Sequence, residues 1–145
     1  MLGLLKYKIE LCPEVKGKLT KNGEPLVNQL IERCLTYEEE FIDSTYTDES
    51  DYFSFPAKYL KSRKPGSIFH EPVVRVIIDL ERGGEVYLLW FGNQRGLKNT
   101  TEFKKHLSCL NADLNSTEKN HHFVNTDSQF YEKHNILSIC NFSQI

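Results

Sequence analysis

Apolar and polar residues alternate along much of the first two-thirds of the chain. In residues 15–20, Val15, Gly17 and Leu19 alternate with Lys16, Lys18 and Thr20, the period-two pattern of a strand with one dry face. Asn22 and Gly23 follow; both tolerate positive φ, so they predict a tight turn. Residues 26–37 read as a second strand. There Leu30, Glu32 and Cys34 alternate with Ile31, Arg33 and Leu35, and the pattern leaves open which set faces inward. Residues 53–55 form a short aromatic strand ended by Pro56. Residues 56–72 hold three prolines, a glycine and four Lys/Arg residues, which predicts a long loop.

The clearest hairpin joins residues 73–81 to residues 85–92 around Arg82, Gly83 and Gly84. Its first arm places Val74, Val76, Ile78 and Leu80 on one face, whereas its second is apolar on both. A strand dry on both faces needs a cover. Residues 99–114 offer one, because Phe103, Leu107, Leu110 and Leu114 recur at helical spacing. Asn99 followed by Glu102 resembles a capping box. Residues 121–125 and 136–142 alternate again and read as late strands. Together these elements predict a mainly β fold: a β-sandwich with one C-terminal helix and additional strands. Residues 1–145 are read as a single domain, with 1–92 as the sandwich core and 93–145 as an α/β extension packed on it.

A length of 145 residues suits one domain with its own core. A net charge of −2 gives no global field to attract nucleic acid or an anionic membrane. No run approaches the roughly 20 apolar residues of a membrane-spanning helix, and the first residues lack the h-region of a signal peptide. The expected location is the cytoplasm. The four cysteines contain no C-x-x-C pair, and free thiols are expected there. Cys12 and Cys140, near opposite termini, are the pair that a disulfide would join if there is one.

The chain offers little chemistry. The five histidines lack zinc-site spacing, and His121 and His122, adjacent in a strand, point to opposite faces. There is no Gly-x-Ser-x-Gly elbow, no phosphate-binding glycine loop and no local signature around Cys34 or Cys109. Asp48, Glu49 and Asp51 do not fall at the spacing of a calcium loop. They read better as a turn, with Asp48 accepting from turn amides and Asp51 in the left-handed region. No catalytic residue, cofactor or metal is therefore assigned.

The wider segment 36–51 holds seven acidic residues and no basic one, with Tyr37, Phe41 and Tyr46 among them. Aromatic anchors amid charge are typical of interface hot spots, and an acidic surface speeds encounter with a basic partner. The candidate partner-binding residues are Tyr37, Glu38, Glu39, Glu40, Asp43, Tyr46, Asp48, Glu49 and Asp51. The competing explanation is a solvated hairpin whose charges protect a sheet edge. The basic run at 58–64 is a second candidate surface.

Two stretches carry a family resemblance. Val15, Gly17, Gly23, Pro25, Thr47, Asp48, Phe53 and Phe55 fill the pattern of the carboxypeptidase regulatory-like domain, a transthyretin-like sandwich. Asp51 stands where that pattern has a turn glycine, and Gln29 where a small residue is usual. Residues 7–19, 61–75, 87–90 and 137–140 resemble a small bacterial family built on this domain, similar to proteins encoded beside type VI secretion toxins. The resemblance implies an immunity protein that binds a cognate effector toxin. The alternative is an adaptor module of a secretion system that neutralises nothing.

Overall fold

The computed structural model describes residues 7–62, 72–124 and 133–142. The fold is mainly β, a sandwich with one short helix. In chain order the elements are β1 (Tyr7–Cys12), β2 (Val15–Lys21), β3 (Glu24–Pro25), β4 (Leu30–Tyr37), β5 (Glu39–Tyr46), β6 (Tyr52–Phe55), β7 (Lys58–Ser62), β8 (Val73–Arg82) and β9 (Glu85–Arg95). Helix α1 (Thr101–Leu107) follows, then β10 (Leu110–Asp113), β11 (Lys119–Val124) and β12 (Lys133–Ser138).

The larger sheet has six strands in the order β11-β12-β9-β8-β4-β5. The smaller one is built on β2, with β10 on one side and β6 and β3 on the other. A third pairing joins β1 to β7. Alternation in β2 buries Val15, Gly17 and Leu19, as the sequence pattern predicts. A Cβ on Gly17 would lie 2.2 Å from the Leu110 carbonyl oxygen and 2.5 Å from the Phe53 ring. The bare backbone there lets the ring and the neighbouring strand close over β2. Val74, Val76, Ile78 and Leu80 of β8 line the core opposite.

The two arms β8 and β9 pair closely, but the register shifts after Ile78, where Trp90 is opposite Ile78 and Leu88 opposite Asp79. The extra residue is Leu89. Leu89 and Trp90 are consecutive and both fully buried, which strict alternation forbids and a bulge permits. Trp90 meets the ring of Phe103 on α1 edge-on at 5.3 Å and that of Phe142 at 6.0 Å. The expected cover over the hairpin is thus present.

That helix is shorter than its periodicity predicts. It ends at Leu107 instead of running to 114. Leu110, Ala112 and Leu114 are also spaced by two; β10 uses that spacing to pair in parallel with β2. The N-cap is Thr100, whose hydroxyl accepts from the Phe103 amide at 3.1 Å. Asn99 is instead buried, donating through its side chain to the Glu10 carbonyl at 3.2 Å. Strands β1, β3, β5, β7 and β10 lie outside the strands that the sequence pattern announced. The loop expected at 56–72 begins with β7, and its later residues fall outside those described.

Candidate protein-binding surface

Strand register decides which residues of the larger sheet face outward. Strand β4 turns Ile31, Arg33, Leu35 and Tyr37 inward, resolving the ambiguity in the sequence. Its other residues fall in rows with their neighbours on the solvent side. One row runs Ile42, Cys34, Ile77, Phe91, Leu137, across five strands. Ile42 is 64% exposed and Leu137 36%, with the middle three half-buried. The next row runs Ser44, Glu32, Asp79, Leu88. Beyond it, Tyr46 pairs with Leu30 and Glu81 with Val86. On the far side of the apolar row lie Glu40, Thr36, Arg75 and Asn93.

The glutamate and aspartate in the second row are direct cross-strand partners. Like charges placed opposite each other destabilise a sheet. Partial burial, and then the charge of Glu32, push the Asp79 carboxyl above its ordinary range. A hollow of about 220 Å³ opens here, lined by Leu30, Glu32, Asp79, Leu80, Glu81 and Val86.

The residues singled out in 36–51 separate into two groups. Glu38, Glu39, Glu40, Tyr46, Asp48 and Glu49 are exposed. Glu38 has φ of 63° at the reversal between β4 and β5. Tyr37, by contrast, is a core residue at 3% exposure, because it continues the inward set of β4. Asp43 lies opposite Arg33 and receives both its Nε, at 2.9 Å, and its Nη2, at 2.5 Å. Asp51 is 1% exposed with φ of 61°. These three carry structure, and their side chains do not present a free face.

The acidic turn is as its residue types suggest. Asp48 Oδ1 accepts from the amides of Ser50 at 2.8 Å and Tyr52 at 3.0 Å. Among the described residues, no group of three or more His, Cys, Asp or Glu side chains is placed to hold a metal. Tyr46, Asp48 and Tyr52 instead edge a shallow hollow of about 320 Å³ that adjoins the end of β5.

Sequence reasoning missed Arg33. It is fully buried, donates to the Pro56 carbonyl at 2.8 Å and lies over the Phe55 ring at 4.8 Å. Beside it, burial pushes the Cys12 thiol up to about 12, which keeps it protonated and unreactive. Burial does the same to Cys140. All four cysteines are free, so the Cys12–Cys140 bridge is not formed. Three of the histidines pack as aromatic rings: His106 stacks on Phe123 at 4.1 Å, His121 meets Phe142 at 4.8 Å, and His134 meets Phe103 at 5.3 Å.

The arrangement defines a mainly β protein of several sheets, in which the larger sheet presents an outward apolar row edged by carboxylates. Residues 15–117 match the family described as a domain of unknown function, DUF6795, and the chain belongs to that family. No curated protein and no solved structure matches it. No helix among the described residues is long and apolar enough to cross a membrane.

Proposed function

We propose that this protein works by binding another protein, as a cytoplasmic immunity protein that occludes a cognate type VI secretion effector toxin and carries out no chemistry of its own. The toxin assignment rests on the resemblance described above. The observation that supports binding is the outward face of the larger sheet. Exposed apolar surface that is contiguous and edged by polar groups is characteristic of interaction sites. Here it lies on a hydrogen-bonded sheet, so little order has to be gained on docking. Glu38, Glu39, Glu40, Tyr46, Asp48 and Glu49 border that face and draw a basic partner toward it.

The test is co-expression with the product of the neighbouring gene. One tight complex that restores growth to cells making that product supports immunity. A complex that forms without restoring growth assigns the chain to the adaptor class. Absence of any complex refutes both.

A further inference from the structure

The outward face of the six-stranded sheet contains a specific acceptor. We infer that its partner is a protein that lays apolar side chains along the row Ile42, Cys34, Ile77, Phe91, Leu137 and inserts one Lys or Arg side chain between Glu32 and Asp79. This deepens the binding function proposed above and rests on it for the partner's identity as a toxin, but the surface itself is argued from register and charge.

Three observations carry it. The first is shape: the hollow beside the apolar row is about 220 Å³, with Leu30 and Val86 as walls and Glu32, Asp79 and Glu81 as polar lining. Leu30 is 37% and Val86 67% exposed. Apolar walls with carboxylates suit a Lys or Arg, whose methylene stem packs against hydrocarbon while its head pairs with charge. The second is charge: Glu32 and Asp79 oppose each other across the β4–β8 pairing. None of the ion pairs found among the described residues, such as Lys16–Glu14, Arg33–Asp43 and Lys104–Glu10, involves Glu32 or Asp79, so neither carboxylate has a cation there. A sheet that holds two like charges together without a counter-charge is relieved by a cation from outside. The third is complementarity against a second copy. Two copies meeting with their carboxylate hollows in contact would bring Glu32, Asp79 and Glu81 toward the same groups of the other chain, which costs affinity. A basic heterologous partner has no such conflict.

Size sets how far the contact extends. Five strands at about 4.8 Å spacing and six residues at about 3.4 Å rise give a face of roughly 20 by 20 Å. That is near half of the roughly 800 Å² that each partner contributes to a standard interface. The contact therefore spreads past β5 onto Tyr46, Asp48 and Tyr52, which edge the adjoining hollow.

The test uses the full chain carrying a photocrosslinking residue at Ile42, expressed in the cell that encodes it, with the same probe at Lys105, exposed on α1, as control. The captured protein is identified, purified and titrated against wild type and the Glu32→Gln/Asp79→Asn variant. The expected result is a heterologous protein captured at Ile42 and not at Lys105. Its affinity should fall roughly tenfold or more in the variant, and should weaken less steeply with salt in the variant than in wild type, since part of the charge complementarity is removed. The free variant should melt at a temperature equal to or above that of wild type, because the repulsion is gone. If the captured protein is not the neighbouring toxin, the immunity reading falls and the surface stands. No capture at Ile42, capture of a second copy, unchanged affinity of the variant, or a variant less stable than wild type would each overturn the inference.

Discussion

The buried ion pair between Arg33 and Asp43 makes a quantitative prediction. Arg33 is fully enclosed, whereas the Asp43 side chain is 34% exposed. Removing one member of a buried pair commonly costs about 3–5 kcal/mol, because the other charge is left without compensation. Partial hydration at the Asp43 end lowers the expected cost of Asp43→Ala to about 2–3 kcal/mol. At about 2–4 °C per kcal/mol for a chain of this size, the melting temperature should fall by roughly 5–10 °C. Arg33→Met should cost less, about 1–2 kcal/mol. It leaves Asp43 able to reach water, and the main loss is the donor to the Pro56 carbonyl. The double variant should then cost about as much as Arg33→Met alone, giving a coupling of about 2 kcal/mol in the cycle. Urea denaturation of the four proteins measures this directly, with Glu40→Ala, exposed on the same strand, expected within about 0.5 kcal/mol of wild type. If Asp43→Ala costs under about 1 kcal/mol, or if the cycle is additive, the pair does not organise the interior as described. The result also bears on the proposed binding function, since a loss of partner binding in an Asp43 variant would then report on folding and not on contact.

Three further outcomes follow from individual sites. Asp51→Gly should raise the melting temperature by a few degrees, since Asp51 holds φ of 61° with a buried Oδ1 that has no hydrogen-bond partner; a clear fall would contradict the turn account. Asp113 accepts from the Gly23 and Asn115 amides at 2.9 Å, from the Thr20 hydroxyl at 2.8 Å and from the Asn22 amide at 3.2 Å. The Gly23 amide leads these contacts in holding its carboxyl down to about 2. Its stabilisation is therefore complete above the ordinary value of 3.8 and lost as pH falls through about 2. Asp113→Asn should cost about 1–2 kcal/mol at pH 7 and flatten acid denaturation in that window. Burial, against an opposing pull from Glu102, lowers the pKa of His106 from 6.5. Its contribution is complete above 6.5 and erodes as pH falls from there through the folded value. Melting scans between pH 7.5 and 5 should show a steeper decline in wild type than in His106→Phe, and equal slopes would remove His106 as the cause.

The strands that alternate cleanly were legible from the sequence alone. Val74, Val76, Ile78 and Leu80 face the core as their spacing requires, and the Asn22–Gly23 and Gly83–Gly84 turns adopt the positive φ that their residue types favour. What the pattern could not supply is pairing. Leu110 and Leu114 satisfy helical and strand periods alike, and only the open edge of β2 decides between them. Arg33 lies in an otherwise apolar inward set because its guanidinium meets a carboxylate ten residues on, which no local signal records. The same holds for the candidate surface. The acidity of 36–51 was visible, but Tyr37, Asp43 and Asp51 are turned to structural use, while Glu32 and Asp79 become neighbours only through β4–β8 register. The bulge at Leu89 had one trace, an arm apolar on both faces.

The parallel pairing of β10 with β2 has a consequence for synthesis. Leu110 aligns with Gly17, and Asp113 with Thr20, so an early strand waits for a neighbour 93 positions later. At about 5–20 residues per second, roughly 5–20 seconds separate their emergence from the ribosome. Throughout that interval one edge of β2 stays open to whatever strand reaches it first. A nascent chain of this kind gains its mature surfaces only near the end of translation, so whatever those surfaces bind should track finished molecules and lag behind messenger levels by that delay.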